Sequence, residues 1–128
     1  MLFSLKQILI VLVGGGCGAV ARFIFTTLVG SKFGVDFPFG TLFVNVIGCF
    51  IMGFFMMLTT DRFIVATNVR LLITVGFLGG LTTFSSFGFE TMQFLREGNL
   101  FGAFLNAGLN MFAGLLAIWF GFIMAKIV

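Results

Sequence analysis

The fold is decided by residues 76–87, which read Gly76-Phe77-Leu78-Gly79-Gly80-Leu81-Thr82-Thr83-Phe84-Ser85-Ser86-Phe87. Three glycines and four hydroxyl residues lie within these twelve positions of an otherwise apolar run. Glycine weakens an α-helix through backbone entropy, and serine and threonine side chains compete for the backbone hydrogen bonds. The stretch therefore predicts a break within a long apolar helix. The alternative is an unbroken helix whose hydroxyl groups bond back to the preceding turn.

The composition of the whole chain is typical of a membrane protein. Of its 128 residues, 60% are hydrophobic and 9% are charged, and the mean hydropathy is +1.24. A soluble domain carries about 25% charged residues, so we expect most of this surface to face lipid. Since one helical span needs about 20 apolar residues, the length allows four spans and leaves no room for an extramembrane domain.

Four apolar runs, each bounded by charged and turn-forming residues, are predicted to be transmembrane helices. They are Ile8–Gly30, Phe39–Leu58, Val69–Leu95 and Leu100–Ala125. We expect one all-α transmembrane domain over residues 1–128, with the break in its third helix. The first run is interpreted as a retained helix rather than a signal peptide, because it is longer than a typical signal core and Arg22 interrupts it.

The few charged residues are scattered along the chain. Seven Lys or Arg against four Asp or Glu give a net charge of +3, without the basic patch that nucleic-acid binding requires. Four spans place both termini on one side, where four basic residues fall against three on the other: Lys6, Arg62, Arg70 and Lys126 against Arg22, Lys32 and Arg96. This small bias fixes no orientation and is compatible with insertion both ways.

The predicted break is a candidate ion site. In lipid, a backbone carbonyl without a partner is costly, so a broken helix needs protein, water or an ion to satisfy it. Residues 79–83 are therefore a candidate for cation binding by backbone oxygens.

Phe84 and Phe87 share a helical face beside the break. Either they pack like most of the 21 phenylalanines, or their electropositive ring edges solvate a small anion.

Other polar residues lie inside the apolar runs. Asn45 is central in the second run, and Asn106 and Asn110 are one turn apart in the fourth. They either form interhelical hydrogen bonds, worth about 1 kcal/mol each, or present a line of N–H donors to a dehydrated anion. Arg22 and Glu90 are a base and an acid within apolar runs, and either side chain can also reach the membrane interface.

No pattern in the sequence indicates catalysis or a zinc site. There is no His, and the two cysteines, Cys17 and Cys49, lie in apolar runs. The chain has no carboxylate pair at useful spacing and no glycine-rich phosphate loop after a strand. We therefore expect conduction or transport of something small, not an enzyme. Because four helices are too few to enclose a well-lined pathway, we also expect an oligomer.

The sequence resembles the CrcB or Fluc family of small fluoride ion channels. Four runs carry the resemblance, one in each predicted span and in family order: residues 15–23, 40–48, 76–87 with Glu90, and 106–121. The third run is specific to that family among four-span proteins, and the four together cover essentially the whole chain. Asn110 departs from the pattern, since it stands where the family often has Ser.

The resemblance implies an antiparallel, dual-topology homodimer in the bacterial inner membrane, with two fluoride pathways and a structural sodium ion at its centre. The backbone carbonyls of Gly79 and Thr82 from both subunits would hold the sodium. Arg22 and Glu90 would lie toward the vestibules. The ion pathway would be lined by Asn45, Phe84, Ser85, Ser86, Phe87, Asn106 and Asn110.

The function that the resemblance implies is passive export. Fluoride enters a cell as HF and ionises, and a negative interior then drives the anion out with about 2.3 kcal/mol per charge per 100 mV. This export lowers fluoride toxicity.

A small multidrug or cation exporter is an alternative. Proton coupling, however, needs an acid, typically in the first span, and Ile8–Gly30 contains none. A non-conducting scaffold is another; it would use glycine faces such as Gly14-x-x-x-Gly18 and would need no line of buried amides.

Overall fold

The computed structural model describes residues 2–128, which form helices and short connections without any strand. The elements in chain order are α1 (Leu5–Phe33), α2 (Phe39–Asp61), α3 (Thr67–Arg70), a π-helical segment (Leu71–Leu78), α4 (Gly79–Leu81), α5 (Phe84–Arg96), α6 (Leu100–Gly108), a second π-helical segment (Leu109–Ala113) and α7 (Gly114–Ile127).

These elements make up four helices that are long and apolar enough to cross a membrane. We call them the first to fourth spans: Leu5–Phe33, Phe39–Asp61, Thr67–Arg96 and Leu100–Ile127. The predicted all-α fold with four such helices is confirmed.

Local signals set the ends of these spans. The first begins with reciprocal capping bonds, in which Ser4 Oγ accepts from the Gln7 N–H at 3.3 Å and Gln7 Oε1 accepts from the Ser4 N–H at 2.8 Å. Asn99 caps the fourth span through a 2.8 Å bond from a backbone N–H in its first turn. Gly34 and Gly98, with φ values of +90° and +74°, stand at two of the connections, where a left-handed backbone requires glycine.

Glycines bring the first and third spans into backbone contact. A Cβ atom placed on Gly14 would lie 2.6 Å from the carbonyl oxygen of Leu72, and one on Gly80 would lie 2.5 Å from that of Gly15. A Cβ on Gly18 would collide with the carbonyl of Phe77. Such contacts involve backbone that cannot rotate away, so these spans pack closely only because the side chains are absent.

We expect Gly14→Ala to destabilise the protein by about 1–3 kcal/mol, because the added methyl group overpacks against the third-span backbone. The matched control is Gly16→Ala on the same helix, where the new Cβ has no neighbour within 4 Å among the described residues beyond its own turn of helix. Thermal unfolding in detergent, followed by size-exclusion chromatography, compares the two. A melting temperature for Gly14→Ala at or above that of Gly16→Ala would contradict this packing.

The third span is broken at Thr82 and Thr83. Their φ and ψ angles are −82° and 154°, and −147° and 123°, so the backbone is extended between α4 and α5. Thr83 then caps α5, because its Oγ1 accepts from the Ser86 N–H at 3.1 Å. The predicted break is confirmed, and the alternative of an unbroken helix is wrong. Thr82 nevertheless bonds back to Leu78 O at 2.9 Å, as that alternative expected of the hydroxyls.

Two π-helical segments, Leu71–Leu78 and Leu109–Ala113, were not predicted from the sequence. A π-helical turn is wider than an α-helical one and changes the direction of the side chains that follow. The first segment directly precedes α4 and the break, and the second contains Asn110. The second segment therefore lies where polar side chains of different spans meet, and the first leads into the break.

Candidate ion pathway

Asn45 joins the second span to the break in the third. Its Oδ1 accepts from the Thr83 N–H at 2.8 Å, and its Nδ2 donates to Thr83 O at 3.0 Å and to Asn110 Oδ1 at 2.8 Å. In a continuous α-helix the Thr83 N–H would donate to Gly79 O. Asn45 thus replaces the hydrogen bond that the break removes, and both of its amide hydrogens are engaged.

The other two asparagines continue this polar line along the fourth span. Asn110 Nδ2 donates to Asn106 Oδ1 and to Asn106 O, both at 3.0 Å. Asn106 is completely buried, with 0% of its surface exposed, and its Nδ2 donates to Thr91 Oγ1 at 2.9 Å. The structure therefore brings Asn45, Asn106 and Asn110 together in one hydrogen-bonded line, which is interhelical packing of the kind that the sequence left open.

Three hydroxyl groups cluster at the start of α5. Thr83 Oγ1 bonds to Ser86 Oγ at 3.1 Å and lies 3.4 Å from Ser85 Oγ. Ser85 is exposed and Ser86 is half-buried in the isolated chain. The predicted pathway hydroxyls thus lie at the surface end of the polar line, beside the break.

Phe84 and Phe87 form an edge-to-face pair. Their ring centroids are 5.3 Å apart and their planes are inclined by 67°, which is a favourable geometry for two aromatic quadrupoles. Phe87 is buried, with 9% of its surface exposed, whereas Phe84 is 78% exposed. One ring therefore belongs to the interior of the subunit, and the other projects from it.

Arg22 and Glu90 lie in the same open groove, which has a volume of about 390 Å³. Thr83 and Ser86 line it too, so the groove runs from the two charged residues to the hydroxyl cluster at the break. Glu90 also borders a second groove of about 280 Å³ that contains Asp36. The two residues expected near the vestibules are therefore brought together next to the break.

The carboxylate of Glu90 is held by the second span. Its Oε1 accepts a 2.6 Å hydrogen bond from Thr41 Oγ1, while Oε2 is buried and accepts no hydrogen bond from the residues that the structure describes. Thr41 precedes Asn45 by one helical turn and therefore shares a face with it. Sequence reasoning missed both Thr41 and Thr91, although each lies one turn from a predicted pathway residue.

The two carbonyls expected to bind sodium both lose their helical donors. The Thr83 N–H, the usual partner of Gly79 O, donates to Asn45, and the Ser86 N–H, the usual partner of Thr82 O, donates to Thr83 Oγ1. Gly79 is exposed in the isolated chain. Carbonyl oxygens are the type of ligand that hard cations prefer, so these two groups fit a sodium ion chemically.

Comparison with known proteins agrees with the resemblance. Residues 9–122 match the family model described as CrcB-like protein, Camphor Resistance (CrcB). A protein of Hydrogenovibrio crunogenus named fluoride-specific ion channel FluC is 44% identical over 119 residues, which cover 93% of this chain and 90% of the relative. Proteins of the same name from Solibacter usitatus and Geobacter sp. are 44% and 39% identical, each over 95% of this chain and over 99% and 98% of the relative.

The names of these relatives are those of ion channels and not of enzymes or exporters. The prediction that the protein is not an enzyme is thereby confirmed, and nothing in the comparisons supports the exporter alternative. The family match covers residues of all four spans. The chain belongs to the CrcB-like family.

Proposed function

We propose that this protein is a passive, fluoride-selective ion channel that exports fluoride from the bacterial cytoplasm and so lowers its toxicity. The observation that carries the proposal is the match, over more than nine-tenths of the chain, to proteins named fluoride-specific ion channel. The polar groups at the helix break supply a route, because they lie within membrane-spanning helices and include N–H and O–H donors.

In this proposal the hydroxyls of Ser85 and Ser86 and the edges of Phe84 and Phe87 replace part of the hydration shell of fluoride. Ring edges carry positive partial charge and attract an anion weakly, whereas a lysine in the same place would trap it. Arg22 lies in the groove that leads to these groups, where its positive charge attracts fluoride and opposes the repulsion from the Glu90 carboxylate.

Asn45 contributes less to fluoride binding than an amide with a free N–H donor would. Both of its amide hydrogens are engaged by Thr83 O and Asn110 Oδ1. Fluoride therefore receives an N–H from Asn45 only by displacing one of these oxygens. The main role of Asn45 in the proposal is to hold the break open, with anion contact as a secondary role.

We infer that the channel is an antiparallel homodimer. Gly79, Phe84 and Ser85 are exposed on the third span of the isolated chain, and exposed polar backbone and hydroxyl groups are costly in lipid. A second copy packed on this face would cover them. The nearly equal numbers of basic residues at the two ends of the spans permit the opposite orientation of the partner.

A structural sodium ion between the two copies completes the proposal. The carbonyls of Gly79 and Thr82 would hold it, since both have lost their helical donors. When bound, the ion supplies a positive charge that satisfies these oxygens inside the membrane. Its contribution is to stability of the dimer, and no step of conduction depends on a change in it.

We predict that replacing sodium with N-methyl-glucamine during purification lowers the thermal stability of the dimer. An ion present at 100 times its dissociation constant stabilises the folded state by about 2.7 kcal/mol, and removing it forfeits that amount. Size-exclusion chromatography after heating measures the loss, and restoring sodium should reverse it where choline does not. Equal melting temperatures with and without sodium would contradict a structural sodium site.

A non-conducting scaffold is the alternative that the structure bears on most directly. The three asparagines bond to one another in the protein interior, as a scaffold would allow. The groove that ends at Thr83 and Ser86 instead gives the hydroxyl cluster access from outside, which favours conduction.

The proposed function is tested with liposomes loaded with potassium fluoride or potassium chloride. Valinomycin lets potassium follow, and ion-selective electrodes record the released anion. Rapid release of fluoride with negligible release of chloride is the expected result. Release of neither anion from a folded dimer would contradict conduction. The non-conducting scaffold would then be the remaining function.

A further inference from the structure

Four hydrogen bonds run head to tail from Asn45 to the backbone of Phe87. Asn45 Nδ2 donates to Asn110 Oδ1 at 2.8 Å, and Asn110 Nδ2 donates to Asn106 Oδ1 at 3.0 Å. Asn106 Nδ2 donates to Thr91 Oγ1 at 2.9 Å, and the Thr91 hydroxyl donates to Phe87 O at 2.8 Å. We call these bonds the amide chain; it links the second, fourth and third spans.

Backbone groups fix the direction of the amide chain at both ends. The Thr83 N–H can only donate, so it must meet Asn45 Oδ1, and the NH₂ group of Asn45 must face Asn110. The Phe87 carbonyl can only accept, so it takes the single hydroxyl proton of Thr91. The Thr91 oxygen is then left as an acceptor, and Asn106 must turn its NH₂ group toward it.

This direction leaves one amide hydrogen, but no amide oxygen, without a partner among the described residues. The side-chain oxygens of Asn45, Asn110 and Asn106 accept from Thr83, Asn45 and Asn110 in turn. Asn106 Nδ2 carries two hydrogens, and one donates to Thr91. The second has no acceptor among the residues that the structure describes. A carbonyl oxygen repels fluoride and an N–H attracts it, so the chain has the polarity that suits an anion.

We propose that Thr91 is a positioning residue that sets the polarity of the amide chain and thereby the preference for fluoride over other anions. Thr91 is not placed to touch the ion; it acts through Asn106. The inference rests on the proposed fluoride channel function. Because Asn106 is completely buried, no bulk water replaces a lost acceptor. Without the hydroxyl, the amide of Asn106 either keeps an unpaired donor or rotates and opposes the NH₂ group of Asn110.

The test compares Thr91→Val, which removes the hydroxyl at nearly constant shape, with Thr91→Ser, which keeps it. The matched control is Thr59→Val. Thr59 is buried, whereas Thr91 is half-buried, and like Thr91 it bonds back one turn, to Phe55 O at 2.9 Å; its hydroxyl has no partner on a neighbouring span among the described residues. Thr91→Ala serves in place of Thr91→Val if the valine variant is not recovered as a folded protein.

We expect Thr91→Val to lower the ratio of fluoride to chloride release from liposomes by about tenfold, in line with an unpaired buried donor. Thr91→Ser and Thr59→Val should keep the ratio of the parent protein. An unchanged ratio in Thr91→Val, or an equal loss in Thr91→Ser, overturns the inference while leaving the channel function intact. A parent protein that releases no fluoride contradicts the channel function itself.

A second readout does not depend on conduction. In protein labelled with ¹⁵N asparagine, Thr91→Val should shift the side-chain NH₂ signals of Asn106, Asn110 and Asn45, whereas Thr59→Val should shift none of them. Shifts that pass along all three residues support a coupled chain. A change confined to Asn106, or no change, overturns the inference whether or not fluoride flux falls.

Discussion

Phe84→Ile will reduce fluoride release from liposomes by at least about tenfold, while the protein remains folded. The substitution removes the electropositive ring edge and leaves an apolar side chain in its place. Phe84 is 78% exposed in the isolated chain, so little of the subunit interior depends on it. The loss of flux should therefore exceed any loss of thermal stability.

The matched control for this prediction is Phe104→Ile on the fourth span, where the ring is 74% exposed. It changes the same chemical groups away from the break and should leave fluoride release unaltered. Phe87→Ile is also expected to lower flux, but Phe87 is buried, so this variant loses packing as well. Full fluoride release by both Phe84→Ile and Phe87→Ile would contradict the role of the aromatic pair.

Asn45→Leu is expected to have the largest effect on stability. It leaves the Thr83 N–H and Asn110 Oδ1 without the partners they have now, whereas the Thr83 carbonyl keeps the hydrogen bond of an N-cap to its own helix. Each unpaired buried group costs about 1–3 kcal/mol, and two of them remove a large part of the stability of a small protein, about 5–15 kcal/mol. We therefore predict that little Asn45→Leu protein elutes as a single species after solubilisation.

Asn68→Leu is the control for this substitution. Asn68 lies in α3 before the break, and its side chain forms no hydrogen bond with the described residues. Asn45→Asp provides an intermediate case, because it keeps an acceptor for the Thr83 N–H but loses both donors. The expected order of thermal stability is Asn68→Leu, then Asn45→Asp, then Asn45→Leu. An Asn45→Leu protein as stable as the parent would show that Asn45 does not support the break.

The features of the fold that were predicted from the sequence depend on local composition. The four spans follow from apolar runs of sufficient length, and the break follows from glycines and hydroxyl residues close together in residues 76–87. The π-helical segment Leu109–Ala113 has no comparable local signal. Its residue Asn110 bonds to Asn45, 65 positions away in the chain, so its geometry is tied to packing between spans.

In the candidate site, too, contacts between different spans could not be predicted from local composition. Buried amides in two different spans predicted a polar line, but which of them meet depends on the rotation of each helix about its axis. Thr91 and Thr41 were missed because a threonine in a span usually bonds back to its own helix, and it is the packing of the spans that brings them to their partners Asn106 and Glu90. The direction of the amide chain likewise follows from the contacts of Asn45 with the Thr83 N–H and of Thr91 with the Phe87 carbonyl, and not from any sequence pattern.

The most direct test of passive fluoride conduction is the reversal potential of the purified protein in a planar bilayer, with unequal fluoride and equal chloride on the two sides. Sodium is present on both sides, and a pH difference is then imposed. We predict a reversal potential at the equilibrium potential of fluoride that does not move with pH. A reversal potential near zero at equal chloride, or one that follows the proton gradient, would contradict selective passive conduction.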